Sequence, residues 1–91
     1  MPSMVLDYAV PTGQAIKLGV VPGHKFVLTI QTPATTIYLG SAKHQLENLN
    51  GAVRSGIALT SGAGPTTFDV DWPDDCFAIS TVNVALISVK Q

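Results

Sequence analysis

"TTFDVDW", residues 66–72, places an apolar side chain at every second position, at Phe68, Val70 and Trp72. Successive side chains of an extended chain point to opposite faces, so these three share one face while Asp69 and Asp71 share the other. Such alternation is typical of a strand with one face in a hydrophobic core and the other in water. The stretch therefore predicts a strand of an antiparallel sheet.

The same two-residue period recurs in short runs along the chain. "HKFVLTIQT", residues 24–32, puts Phe26, Leu28 and Ile30 on one face. No window has the spacing of a long amphipathic helix. Further strands are predicted at about residues 4–10, 14–20, 36–40, 56–60, 76–80 and 82–90.

Turn signals separate these runs. They are "PTG", "VPG", "SGAGP" and "WPDD", which begin at residues 11, 21, 61 and 72. Proline fixes φ and glycine readily adopts positive φ, so each signal marks a reversal of the chain. Seven or eight short strands predict a single all-β domain over residues 1–91. Its architecture is expected to be an antiparallel β-sandwich or jelly roll, with a small barrel as the alternative.

The last run, "STVNVALISVKQ" at residues 80–91, departs from simple alternation at Leu86 and Ile87. Val84 and Leu86 share one face, and Ile87 and Val89 share the other, so both faces of this strand are apolar. A central strand, a strand facing a neighbouring subunit, or a β-bulge at Leu86 would each explain the pattern.

The composition is apolar for so small a chain. Of its 91 residues, 46% are hydrophobic and only 12% are charged. A domain of this size has a thin core, and a soluble monomer needs ample polar surface. We therefore expect part of the apolar surface to meet another chain. The formal charge of −1, with five scattered basic residues, argues against a nucleic-acid partner.

Cysteine content and terminal sequence bear on the compartment. Cys76 is the only cysteine, so no internal disulfide is expected, which favours folding in a reducing compartment. No run approaches the ~18 apolar residues of a membrane span, and "MPSMVLDYAV" at residues 1–10 lacks the features of a signal peptide. We expect neither a membrane partner nor a standard export signal.

The residues that most often carry chemistry are not grouped in a recognisable motif. His24 and His44 have no second histidine or cysteine at ligand spacing, so no zinc site is predicted. Cys76 begins the apolar run "CFAIS", which favours core packing over nucleophilic catalysis. No phosphate-binding loop, serine elbow or acid–base pair is recognisable, so we expect a protein that is not an enzyme and has no cofactor.

Two stretches leave alternatives open. "DVDWPDD", residues 69–75, could bind a hard cation such as Ca²⁺, or it could form a solvated strand face and a turn. Trp72 and Tyr38 could form a platform for sugar stacking, but the phase of Trp72 with the apolar positions of its strand favours core packing. The carboxylates concerned are Asp69, Asp71, Asp74 and Asp75.

The stretch "SAKHQLENLNGAVRS", residues 41–55, is too long for a hairpin turn, and long loops are commonly functional. One interpretation is a packed Ω-like loop that covers one end of the sandwich. The other is a projecting contact arm, in which a polar rim surrounds Leu46 and Leu49. The candidate protein-binding residues are Tyr38, Lys43, His44, Leu46, Glu47, Leu49 and Arg54.

A succession of motifs spans residues 36–89: "TIYLGS", an "NG" loop, "GIALT", a Gly-Pro turn, "TTFDVDW", "DDCFAIS" and "VNVALISV". This order resembles a group of short virion proteins of tailed bacteriophages. In that group a strand ending in Tyr-x-Gly precedes an Asn-Gly loop, and an Asp followed by an aromatic-Ala-Ile-Ser strand leads into the last strand. The chain differs in its longer loop before Asn50 and in Cys76, where a larger apolar residue is usual.

The resemblance implies a small β-sandwich that binds the outside of a phage capsid as a decoration, or cement, protein and stabilises the head. Its implied partners are itself, as a homotrimer, and the major capsid protein. Its implied location is the capsid surface of the virion, after assembly in the host bacterial cytoplasm. A cyclic trimer would bury outward apolar residues such as Val27, Tyr38 or Val84 between identical subunits. The alternatives are a receptor- or carbohydrate-binding module and a head–tail or tail component.

Overall fold

The computed structural model describes residues 5–42, 46, 57–81 and 83–91. In this part of the chain eight short strands form, as the alternation of apolar residues predicted. They are β1 (Val5–Val10), β2 (Ile16–Lys17), β3 (Lys25–Ile30), β4 (Thr36–Gly40), β5 (Ile57–Thr60), β6 (Thr66–Asp71), β7 (Phe77–Ser80) and β8 (Ala85–Lys90).

The strands form two four-stranded antiparallel sheets. The first sheet has the order β1-β8-β3-β6, and the second has the order β2-β7-β4-β5. The first strand pairs with the last, the second with the seventh, the third with the sixth and the fourth with the fifth. This nested pairing is that of a long antiparallel hairpin folded over into two sheets, which is the jelly-roll topology. The predicted fold class is therefore confirmed.

The main core lies between the two sheets. Phe26, Leu28 and Ile30 of β3 are buried against a cluster that includes Ile37 and Leu39 of β4. Full burial of an aliphatic side chain of this size stabilises the fold by about 1.5–3 kcal/mol. The face predicted for β3 from the sequence is confirmed.

Strand β8 resolves the ambiguity of the last run. It lies between β1 and β3, so the expectation of a central strand is confirmed. Its register with β1 advances one residue at a time, from Ala85 opposite Val10 to Lys90 opposite Val5. The suggested β-bulge at Leu86 is therefore wrong, because a bulge would place two residues of one strand opposite a single partner residue.

Strand β2 is shorter than the predicted span of residues 14–20. Leu18 N–H still donates to Cys76 O at 2.8 Å, but Gly19 N–H donates to Tyr8 Oη, which belongs to the other sheet, at 2.6 Å. A Cβ at Gly19 would stand 3.1 Å from both Leu6 and Tyr8 side chains, so glycine permits this close approach. The chain leaves the second sheet here because its next hydrogen-bond partner is in the first.

Two of the predicted turns have the backbone that their glycines suggest. Gly13 in "PTG" has φ +74° and Gly23 in "VPG" has φ +82°. Residues other than glycine rarely adopt this left-handed backbone conformation. These loops lie at opposite ends of the sandwich, because one follows β1 and the other precedes β3.

Candidate interaction surfaces

A second, smaller core lies on the outer face of the second sheet. Leu46 is fully buried there with Ala15 and Ile79, and the half-buried Tyr38 and Phe77 pack against them. Ile79 points away from the main core because it alternates with Ala78, which lies inside that core. Leu46 therefore covers a sheet face that would otherwise expose Ile79 to water.

The contact between Leu46 and the sheet is close because Gly40 has no side chain. A Cβ at Gly40 would stand 2.9 Å from Leu46 Cδ2 and 3.0 Å from its Cγ. The structure thus brings together two residues of the predicted site, Tyr38 and Leu46. It does so in a packed arrangement, which agrees at Leu46 with the packed-loop interpretation.

The remaining predicted contact residues lie outside the described residues: Lys43, His44, Glu47, Leu49 and Arg54. Their role in a contact arm stays a prediction. The full burial of Leu46 leaves no part of its side chain at the surface of this chain. Sequence reasoning missed Ala15, Gly40 and Ile79, although the apolar pair Ala78-Ile79 is the pattern of a strand buried on both faces.

Several large apolar side chains remain outside both cores. Val84 and Leu86, which the last run indicated, are 53% and 51% exposed. Val5, Val21 and Ile57 are exposed to a similar degree, and sequence reasoning did not single them out. Ile57 starts β5, an edge strand whose residues "IALT" include no charge and no proline to discourage pairing with another chain.

All tryptophan, tyrosine and phenylalanine residues lie in the described part of the chain, and none of their side chains is freely exposed. Its single tryptophan, two tyrosines and three phenylalanines are buried or half-buried. Trp72 is 8% exposed and packs in the main core, where its Nε1–H donates to Asp75 O at 3.1 Å. Core packing of Trp72 is confirmed, so this ring is not available as a platform for sugar stacking.

The acidic stretch forms an exposed strand face followed by a turn. Asp69 and Asp71 point outward from β6, and Asp74 and Asp75 follow Trp72. Asp75 Oδ2 lies 3.7 Å from Lys17 Nζ, and both side chains are more than half exposed, so this ion pair stabilises the fold only slightly. Among the described residues no three histidine, cysteine or acidic side chains are close enough to hold a metal ion.

Cys76 is fully buried in the main core. Burial raises the pKa of its thiol from 9.0 to about 12, because a thiolate would be desolvated there. A thiol that stays protonated at neutral pH is a poor nucleophile. Core packing of Cys76 is therefore confirmed, and His24 is exposed in the turn before β3.

A shallow groove of about 500 Å³ lies on the outer face of the first sheet, above Val27. Lys25, Lys90, Asp69 and Gln91 line it. The two lysines and one carboxylate leave an excess of one positive charge, and all three residues are exposed to solvent. The amide of Gln91 is already engaged, because it accepts from Val21 N–H and donates to Val21 O.

Four loops meet at the end of the sandwich where β1 and β3 finish. We call this surface the neutral end, because none of its residues is acidic, basic or histidine. It comprises residues 11–15, 31–35, 61–65, 81, 83 and 84.

Hydrogen bonds join these loops to one another. Buried Ser61 is central: its Oγ donates to Thr32 O at 2.7 Å and accepts from Thr35 N–H at 2.9 Å. Ala34 N–H donates to Gly62 O at 2.8 Å, and Leu86 N–H donates to Thr32 Oγ1 at 2.9 Å. The neutral end is thus held by bonds between loops that are distant in sequence.

No family model, curated protein or solved structure matches this chain. Within the described residues, no helix is long and apolar enough to cross a membrane. The described part of the chain is an all-β jelly roll with half-exposed apolar side chains outside its two cores.

Proposed function

We propose that this chain is a non-enzymatic structural protein of a tailed-phage virion, which binds the outside of the capsid as a decoration protein and stabilises the head. The observation that carries the proposal is the set of half-exposed aliphatic side chains outside two filled cores. Ile57 in β5, Val84 just before β8 and Leu86 in β8 are each about half exposed. Such residues are the expected contacts of a protein that functions by association.

Fold and sequence support the same proposal. Jelly rolls are common in viral capsid proteins, although this fold also occurs in lectins and other proteins. The motif order over residues 36–89 resembles short phage virion proteins. A decoration protein needs only binding energy, since several modest contacts to neighbouring shell subunits raise the effective concentration for each further contact.

Self-association is part of the proposal. A cyclic homotrimer buries one patch of each subunit against a different patch of the next, so the interface closes without leaving a free surface. Ile57, half exposed on the edge strand β5, would be protected from water in this way. The charged fraction of 12% is low enough that the isolated chain has few groups to oppose association.

The alternative of a carbohydrate-binding module has less support. Such a module commonly stacks sugars on an exposed aromatic ring, and the one tryptophan is in the core. A head–tail or tail component remains the second candidate within the virion, since it too would function by association. The two virion positions differ in where the protein lies on the particle.

The test locates the chain on the particle. Antibodies raised against the purified protein would be applied to virions of the phage that encodes it, and bound antibody would be located by gold labelling in electron micrographs. Label spread over the head is the expected result. Label confined to the tail or to the neck would overturn the decoration proposal and favour the alternatives.

A further inference from the structure

We infer that the neutral end is the surface through which the chain docks on the capsid shell, and that the partner surface is itself uncharged. This inference rests on the proposed function and adds the orientation of the subunit and the chemistry of its partner. It concerns residues 11–15, 31–35, 61–65, 81, 83 and 84, which belong to four loops.

Charge is segregated along the long axis of the strands. The described charged residues, apart from Asp7 and Asp69 near mid-strand, lie toward or beyond the opposite end, where β3 begins and β8 ends. They are Lys17, Lys25, Asp71, Asp74, Asp75 and Lys90. A protein that exposed both ends equally to water would not require this separation, whereas a docking surface benefits from it.

The benefit follows from desolvation. A charge that is buried in an interface without a partner loses its hydration and gains nothing in return. An end without charges can be covered by another uncharged surface at no such cost. The charged side chains of a charged partner surface would be desolvated and left unpaired against this end. The complementary partner is therefore an uncharged protein surface. The central part of interfaces is commonly depleted of charge in the same way.

The neutral end also supplies apolar contact area. Val84 is 53% exposed, and Leu86, in β8 just beyond the neutral end, is 51% exposed on the same side of the chain. Pro33, Ala34 and Ala63 add small exposed apolar groups on the neighbouring loops. Burial of such groups on docking contributes about 25 cal/mol for each Å² removed from water.

The surface is ordered before it binds. Ser61 joins the loops at residues 31–35 and 61–65, and Thr32 joins the first of these to Leu86. Ser80 N–H donates to Pro11 O at 3.0 Å, which ties in the loop at residues 11–15. Loops held in this way lose little further conformational entropy on docking, which favours affinity.

The experiment uses the full chain and, as the probe, capsid shells of the encoding phage from which this protein has been removed. Binding is measured by cosedimentation over a range of protein concentrations. Val84→Lys and Ala63→Lys each introduce one charge at the neutral end. Val21→Lys is the matched control, because Val21 is 52% exposed but lies in the loop between β2 and β3. This loop is at the opposite end of the sandwich, which we call the charged end.

We expect wild-type and Val21→Lys proteins to bind with equal affinity, and Val84→Lys and Ala63→Lys to bind at least ~10-fold more weakly. We also expect wild-type affinity to change little between about 0.05 and 0.5 M salt, because screening acts on charges and the interface has none. Unchanged melting temperatures of all three variants would show that the fold is retained.

The outcomes separate the two proposals. If the wild-type chain does not bind the shells, the decoration proposal and this inference both fall. If wild-type binds and the neutral-end variants bind equally well, only the docking inference is overturned. Loss of binding by Val21→Lys alone, or a steep decrease of affinity with salt, would place the contact at the charged end and would also overturn it.

Discussion

Leu46 occupies the space in which a side chain at Gly40 would stand, since a Cβ there would be only 2.9 Å from Leu46 Cδ2. Leu46 is fully buried and cannot swing into water without opening the second core. The glycine and the leucine are therefore a complementary pair. Their contact fixes the position of the Leu46 side chain on the second sheet.

We predict that Gly40→Ala lowers the free energy of unfolding by about 1–3 kcal/mol, because the added methyl overlaps Leu46. Leu46→Ala should cost about 2–5 kcal/mol, because it leaves a cavity above Ile79. In the double variant the methyl added at position 40 has room. The loss of unfolding free energy should therefore be smaller than the sum of the losses in the two single variants. Urea unfolding of the four proteins measures the coupling, and strict additivity would contradict the contact.

Trp72→Ala should lower the free energy of unfolding by about 3–5 kcal/mol, because the ring fills the main core. Trp72→Phe keeps most of the packing but loses the hydrogen bond to Asp75 O, so it should cost about 1–2 kcal/mol. Thermal or urea unfolding followed by circular dichroism checks both values. A near-neutral Trp72→Ala would show that the ring is not a core residue.

The thiol of Cys76 should make stability fall at high pH. The unfolded chain releases this proton near pH 9.0, whereas the folded chain holds it up to a pKa of about 12. Between these values the unfolded state binds fewer protons, so the free energy of unfolding decreases with rising pH, by up to about 1.4 kcal/mol per unit. Well below pH 9 the Cys76 thiol is protonated in both states, so it should not make the free energy of unfolding depend on pH.

The matched variant is Cys76→Ala. Other groups titrate above pH 9, so the relevant quantity is the difference in unfolding free energy between wild-type and variant, measured from pH 7 to pH 11. This difference should shift in favour of the variant above pH 9. A difference independent of pH would show that the thiol is not shielded from water.

Ser61→Ala should destabilise the protein by about 1–3 kcal/mol, because it leaves the buried Thr35 N–H without its side-chain acceptor. Gln14→Ala is a control at the same end, since its side chain is exposed, and it should change stability by less than about 0.5 kcal/mol. Hydrogen exchange should show faster exchange at Thr35 and Ala34 in Ser61→Ala. Equal stability of the two variants would argue against the role of Ser61 in joining the loops.

The fold class could be predicted from the sequence because it depends on a local pattern. The phase of Phe26, Leu28 and Ile30, and that of Val70 and Trp72, assigns each strand its buried face without reference to any other strand. Positive φ at Gly13 and Gly23 is likewise a local property. The error at Leu86 arose because an isolated run cannot show whether its second apolar face meets water or protein.

The candidate site could be predicted only in part. Tyr38 was named as an outward-facing strand residue and Leu46 from the length of its loop, but their contact depends on Gly40 and Ile79, which come from two different strands. The neutral end was not foreseen at all. Its loops begin at residues 11, 31, 61 and 81, so they are far apart in the sequence. No single loop has an unusual composition.

The sequence by itself determined the alternating strands, the turns between them and the scarcity of charge, because each is a property of neighbouring residues. Only the tertiary structure decided which strands pair, which apolar residues stay outside the cores and which loops share an end. Nested pairing brings Pro11 to Ser80 and Thr35 to Ser61. Such contacts depend on the register and order of whole strands, which no local pattern specifies.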